Sequence, residues 1–282
     1  MQGFAFLLNW SDKAYFCIAV TIYGIGMVYS LFLWRRGFRR DDWTAYSLLG
    51  SGFVFQTISI AIRAFKYDPP RCPVTNLYET LTFIIWAIVG GYLVMGLWRR
   101  LRFVGAFASP LLFVMGVFAL IPGMDPDVLP GEARDYTGVW GNLHRTLGAL
   151  ALGAFGLSAA AAGMYLTQER DLKIHKFRAI LSKLPPLQRL ETAMTRLMWV
   201  GFGLLSSGIA ASAAYHFQPD KSISLGEPMV IWILGMWAVY LVLIVLHWRH
   251  TQSGRRIAWG ALCSFLFMIL TFWGALESHL NH

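Results

Sequence analysis

Long apolar blocks alternate with short polar connections along the whole chain. The hydrocarbon core of a bilayer, about 30 Å thick, is crossed by about 20 helical residues, and eight predominantly apolar segments have this length. The predicted spans are about 14–34, 43–65, 77–98, 103–122, 143–168, 196–217, 228–248 and 256–277. Backbone polar groups in hydrocarbon must bond within their own segment, so each span is predicted to be an α-helix. The pattern predicts an all-α polytopic membrane protein with eight transmembrane helices, in which residues 1–282 form a single transmembrane domain.

Composition supports this prediction and excludes several other classes. Hydrophobic residues make up 56% of the chain and charged residues 14%, whereas soluble domains carry about 25% charged residues. A soluble enzyme, a disordered chain and a soluble coiled coil are therefore excluded. The three cysteines form neither a C-x-x-C pair nor a C-x-x-C-H motif, which excludes a thioredoxin-type redox pair and covalent attachment of haem to this chain.

The distribution of charge predicts the orientation of the spans. The connections after spans 1, 3, 5 and 7 hold 17 of the 24 Lys and Arg residues and 5 of the acids, whereas the other connections and the termini hold 7 and 10. Under the positive-inside rule this asymmetry places both termini outside. The net charge of +9 is thus concentrated in short loops, with no basic stripe, and nucleic-acid binding is not expected.

The longest connection on the basic side, 169–196, contains an amphipathic segment. Leu187, Leu190, Met194 and Leu197 recur at helical spacing after the break at Pro185-Pro186. This pattern predicts a short interfacial helix between spans 5 and 6, with its basic residues near anionic headgroups. A helix that packs back on the bundle is the alternative.

Histidines near the predicted outer ends of spans 5, 6 and 8 are candidate metal ligands. These are His144, His216 and His279. Neutral imidazole is a good ligand for haem iron, and two such residues on neighbouring helices could hold an iron porphyrin at the membrane surface. An interfacial or capping role is the alternative. His175, His247 and His250 lie on the basic side, where histidines usually share a solvated loop with Arg and Lys, and His282 lies on the outer tail.

The outer loop before span 3 contains a second group of candidates. Asn76 and Glu79 have the spacing of a helix N-cap and a capping-box partner. Glu79 also lies at the edge of an apolar segment, where an ionisable group is a functional candidate, and both interpretations stay open. Acids between spans 4 and 5, Asp125 among them, lack the spacing of a calcium loop and are expected to keep that loop solvated.

Six sequence segments, in this order, carry a resemblance to a known family. They are CPVTNLYETLTFIIW at 72–86, NLHRTLGALALGAFGLSAAAAGMYLTQERDLK at 142–173, LPPLQRLETAMTRLMWVGFGLLSSGIAASAAY at 184–215, IWILGMWAVYLVLIV at 231–245, SGRRIAW at 253–259 and FLFMILTFWGALESHLNH at 265–282. The sequence resembles the membrane proteins of cytochrome c assembly, the CcsA/CcmC/HemX-like group. The resemblance covers most of the chain after residue 50.

The resemblance implies that haem b is held non-covalently at the outer face and is presented to apocytochrome c or to other assembly subunits. His144 and His279 match the positions of the two haem-iron ligands. The further cofactor-binding candidates are His216, Arg145, Trp140, Glu79, Tyr78 and Asn76. Arg145 and Arg71 are candidates for pairing with the propionates.

Two departures place the chain closest to the shorter HemX-like or YpjD-like branch. The outer loop that is Trp-rich in fuller members reads Tyr215-His-Phe-Gln-Pro-Asp-Lys221 here, and Gln56 stands where those members have a histidine in an early span. The alternative function is a HemX-like membrane regulator or scaffold without haem, whose basic loop at 169–196 contacts a cytoplasmic tetrapyrrole-pathway enzyme. A transporter is disfavoured because no intramembrane charge pairs or inverted repeats are evident. Neither remaining function requires covalent catalysis by this chain, and the expected location is a bacterial cytoplasmic membrane.

Overall fold

The computed structural model describes residues 11–36, 42–66, 76–97, 104–121, 125, 139–173, 187–216, 228–249 and 254–280. All elements in these ranges are α-helices, and they follow the eight predicted spans in order. They are α1 (Asp12–Arg36), α2 (Asp42–Phe65), α3 (Leu77–Gly96), α4 (Gly105–Ala119), α5 (Val139–Lys173), α6 (Leu187–His216), α7 (Pro228–Arg249) and α8 (Gly254–Leu280). The prediction of an all-helical polytopic membrane protein is therefore confirmed.

Seven of these helices are long and apolar enough to cross a bilayer. The exception is α4, whose 15 residues correspond to about 22 Å of helix. The described part of α4 is thus shorter than the predicted span 103–122. Among the described residues, seven helices have full spanning length, whereas the sequence predicted eight.

The predicted short interfacial helix is wrong as a separate element. Residues from Leu187 onward begin α6, which continues without a break for 30 residues. The reason is that no Gly or Pro interrupts the chain between Leu187 and Val200. Leu190, Met194 and Met198 are fully buried, so this face packs on protein, as in the alternative interpretation.

The helices form two compact units, α1–α4 and α5–α8. Within each unit every helix packs on the next, and the fourth helix packs on the first. In the first unit α3 is mostly buried. In the second unit the most buried stretch is the Ala-rich middle of α5, where Phe155 stacks on Tyr240 of α7. The single-domain organisation and the orientation in the membrane stay predictions.

Candidate functional site

The first candidate region is an ionic cluster centred on Arg63 of α2. Its Nε donates to Oε1 of Glu79 at 2.7 Å, and its two terminal nitrogens donate to Asp12 at 3.2 Å and to Asp125 at 2.5 Å. Asp12 begins α1, Glu79 lies in the first turn of α3, and Asp125 follows α4. All four helices of the first unit are therefore connected at one end, the predicted outer end.

Two lysines and an asparagine complete this Arg63 cluster. Lys13 pairs with Asp125 at 2.7 Å, and Lys66 pairs with Asp12. Asn76 is the N-cap of α3: its Oδ1 accepts from the N–H of Glu79 at 2.8 Å, and its Nδ2 donates to Asp125 at 2.6 Å. The capping prediction for Asn76 is confirmed.

The charges of the Arg63 cluster balance. Three cations, Lys13, Arg63 and Lys66, meet three carboxylates, Asp12, Glu79 and Asp125. Burial acts to raise the pKa of the Asp125 carboxyl, but hydrogen bonds from Lys13 and Arg63, and their positive charges, outweigh burial and lower this pKa below its usual value. Because each carboxylate already has cationic partners, the arrangement neutralises charge at the edge of the apolar interior.

Tyr78 covers the inner side of the Arg63 cluster. Its ring lies 5.7 Å from both the Lys13 amine and the Arg63 guanidinium, within cation–π range, and Phe16 meets it edge-on. Asn76, Tyr78 and Glu79 therefore belong to one structural cluster, while their binding to haem stays a prediction. Arg63 is a central residue that sequence reasoning missed, although it is the sole charge in the predicted span 43–65.

The second candidate region is His144, near the start of α5. Its Nδ1 lies 2.8 Å from the carbonyl oxygen of Gly208 on α6. Because a carbonyl only accepts, Nδ1 carries the proton, and the lone pair of the neutral ring lies on Nε2. Metal-binding histidines have this arrangement, in which a hydrogen bond from one ring nitrogen fixes the tautomer and the ring orientation.

α5 and α6 pack against each other at Gly208, beside His144. A Cβ built on Gly208 would lie 3.6 Å from the carbonyl oxygen of His144 and 3.6 Å from the amide nitrogen of Gly148. The hydrogen bond to the histidine therefore comes from a helix–helix contact that is itself well packed.

Contacts at the end of the second unit away from His144 indicate which helix ends lie together with His144 at the near end. Tyr165 of α5 and Glu191 of α6 both lie against Gly254, the first residue of α8. His144 precedes Tyr165 by 21 residues, or about 32 Å of helix. His279 follows Gly254 by 25 residues, or about 38 Å. By residue count along the two helices, both histidines lie towards the end of the second unit that is opposite to Tyr165, Glu191 and Gly254.

The other haem candidates of the second unit lie at the same end. His216 ends α6, 25 residues beyond Glu191. Trp140 is exposed, and Arg145 is half-buried beside His144. The side chains of His216 and His279 lie outside the described part of the structure, as does Arg71. Among the described residues no group of three or more His, Cys, Asp or Glu is placed to hold a metal ion.

Gln56 is fully buried inside the first unit. Its Oε1 accepts from the hydroxyl of Tyr23 at 2.6 Å, and its Nε2 donates to the carbonyl of Thr82 at 2.8 Å. The amide thus joins α1, α2 and α3 in the bundle interior. At the position where the resemblance implies a histidine in fuller members, this chain has a neutral polar contact.

Comparisons with known proteins agree with the resemblance. The family model "Cytochrome C assembly protein" matches residues 74–279, more than half of the chain. Protein HemX of Brevibacillus brevis is 25% identical, over 93% of this chain and 94% of that protein. Protein HemX of Bacillus subtilis is 22% identical over 90% and 91%, and cytochrome c biogenesis protein CcsA of Guillardia theta is 24% identical over 77% and 78%. The chain belongs to the cytochrome c assembly protein family.

Proposed function

We propose that this protein binds haem b non-covalently near the outer face of the membrane and presents it to a partner of cytochrome c assembly. The observation that carries the proposal is the hydrogen bond from Nδ1 of His144 to the Gly208 carbonyl. It fixes the ring in the tautomer suited to iron ligation. Family membership supplies the reason to expect haem rather than another metal centre.

His144 and His279 are the two residues that would hold the haem. When bound, haem would supply an iron centre for which neutral imidazole is a suitable ligand. His144 would be held in place by the packing of α5 on α6, and His279 would approach from the last turn of α8 at the same end of the second unit. Arg145, the next residue along α5, is the propionate partner in this proposal.

Optical spectroscopy tests the proposal directly. The wild type, a His144→Ala/His279→Ala variant and a His247→Ala variant are purified in detergent, and oxidised and reduced spectra are recorded. We expect a Soret band and split reduced bands in the wild type and their loss in the double variant. His247, in the last turn of α7, lies at the opposite end of the second unit, so its substitution is expected to leave the spectrum unchanged.

A thermal unfolding profile for each variant shows that loss of haem is not loss of fold. A wild type that is colourless and takes up no added haem would contradict the proposal. Equal loss of the Soret band in the His247→Ala variant would place the haem elsewhere.

A second function is favoured by the extent of similarity to the HemX relatives, which covers at least 90% of both chains. In this function the protein is a membrane regulator or scaffold whose basic connection between α5 and α6 contacts a cytoplasmic tetrapyrrole-pathway enzyme. Deleting residues 174–186 is expected to abolish co-purification of that enzyme, whereas His144→Ala leaves it unchanged. Haem handling is favoured if the wild type binds haem and no tetrapyrrole-pathway enzyme co-purifies with it. For either function we propose the bacterial cytoplasmic membrane as the location.

A further inference from the structure

A column of buried polar side chains leads from the Arg63 cluster into the interior of the first unit. Ser59 and Gln56 lie one and two turns before Arg63 on α2, and Tyr78 and Thr82 lie four residues apart on α3, so each pair shares one helix face. All four residues of this polar column, Gln56, Ser59, Tyr78 and Thr82, are at most 3% exposed. Polar groups at this depth are uncommon in membrane spans and point to a function.

Part of the polar column is paired. Gln56 donates to the Thr82 carbonyl and accepts from Tyr23, while Ser59 donates to the carbonyl of Asp12 at 2.8 Å. These bonds hold α1, α2 and α3 together around the column.

Two hydroxyls of the polar column have no hydrogen-bond partner among the described residues: the hydroxyl of Tyr78 and Oγ1 of Thr82. Threonines elsewhere in these helices, such as Thr57 and Thr80, donate to the carbonyl four residues earlier. Thr82 makes no such bond among the described residues. Leaving a buried hydroxyl without a hydrogen bond is unfavourable, and here two such hydroxyls belong to residues one helical turn apart.

We infer that the polar column binds water, which bridges the Tyr78 and Thr82 hydroxyls. Buried water typically makes two to four hydrogen bonds to polar groups that would otherwise be unsatisfied. The Ser59 hydroxyl, which interacts with the Tyr78 phenol without making a hydrogen bond of ordinary geometry, supplies a further acceptor. The groups are neutral hydroxyls and amides, which suits a small neutral molecule rather than an ion. Water bound there extends a hydrogen-bonded path from the Arg63 cluster to Gln56, a distance of about 10 Å along α2.

X-ray hydroxyl-radical footprinting of the full-length protein tests this inference. Irradiation creates radicals from bound water, so a buried side chain beside such water is modified and a dry one is not. Tyr78 is 3% exposed and Tyr92 of the same helix is 0% exposed, which makes Tyr92 the internal control. We expect Tyr78 to be modified on the order of tenfold faster than Tyr92, because the radicals form at the bound water itself.

The second part of the test substitutes Thr82, the other residue that the proposed water contacts. Thr82→Val keeps the shape of the side chain, removes the hydroxyl, and is expected to slow modification of Tyr78 several-fold. Thr21→Val, which removes an exposed hydroxyl of α1 bonded to its own helix, is the matched control and should leave the rate unchanged. Modification of Tyr78 no faster than that of Tyr92 in the wild type would overturn the inference even if Thr82→Val fails to fold. An unchanged rate in folded Thr82→Val would also overturn it.

Discussion

Arg63 stabilises the first unit because it is the shared partner of carboxylates from three other parts of the chain. Removing one member of a buried ion pair leaves an uncompensated charge and costs about 3–5 kcal/mol. Arg63→Ala is therefore expected to lower the unfolding midpoint strongly, or to prevent folding, as measured by thermal unfolding in detergent. The comparison is Arg255→Ala: this arginine is 59% exposed and lies 3.6 Å from Glu169, so its loss should cost less than about 1 kcal/mol.

Similar small effects of the two substitutions would contradict a stabilising role for the Arg63 cluster. Such a result would instead favour a role for Glu79 and Asp125 in binding a ligand.

Asp125 gives the Arg63 cluster a defined response to acid. Its pKa in the folded protein is lowered, so its contribution to the free energy of unfolding is complete above the ordinary aspartate pKa of about 3.9 and is lost as the pH falls through the lowered value. Asp125→Asn is expected to reduce stability at neutral pH and to flatten the fall in unfolding midpoint below about pH 4. Glu169→Gln, which removes a carboxylate paired with the exposed Lys173, serves as the control.

Thermal unfolding midpoints at a series of pH values measure this response. If the Asp125→Asn protein loses stability in acid as steeply as the wild type, the dependence arises from other carboxylates and the prediction is wrong.

At the scale of whole elements, the apolar pattern predicted the positions of the helices well, but it did not predict which side chains of different helices contact one another. The length of each apolar block placed all eight helices, because a bilayer demands both length and internal hydrogen bonding. The N-cap at Asn76 was also predicted, since it depends on residues three apart. Arg63 and Asp125 are 62 residues apart, and no local pattern reports such a pair.

The same limit explains the errors at the ends of elements. The amphipathic start of α6 has the pattern of an interfacial helix, and only its packing shows that the buried face meets protein. The link from His144 to Gly208 was likewise not predictable, because a backbone carbonyl leaves no signature in the sequence.

Close approach of α1 and α4 depends on small residues, and Gly116 is one position where this can be tested. A Cβ built there would lie 2.6 Å from Cγ2 of Val20, inside the distance that real contacts allow. Gly116→Ala is expected to cost about 1–3 kcal/mol by overpacking. Gly235→Ala in α7, where nothing lies within 4 Å of the added Cβ, should be neutral or slightly stabilising because alanine favours helix. Unfolding midpoints in detergent compare the two, and equal effects would show that α1 and α4 can separate to accept the methyl group.

At the scale of the whole molecule, orientation decides what the two candidate regions can do. The Arg63 cluster and His144 both lie at helix ends that the positive-inside rule assigns to the outside. The proposed presentation of haem at the outer face requires this assignment. An opposite orientation would place His144 on the side of soluble tetrapyrrole enzymes and would favour the regulatory function.

Reporter fusions measure the orientation, and both termini are expected outside. Alkaline phosphatase fused after residue 282 should be active, because the enzyme folds only outside the cytoplasm, and green fluorescent protein at the same point should be dark. Fusion after residue 252, in the connection between α7 and α8, should reverse both results. The physical reason is the excess of Lys and Arg in the connections after α1, α3, α5 and α7, 17 against 7 elsewhere. Active phosphatase at residue 252 with inactive phosphatase at residue 282 would show that both termini lie in the cytoplasm. The end of the bundle that carries His144 would then also face the cytoplasm.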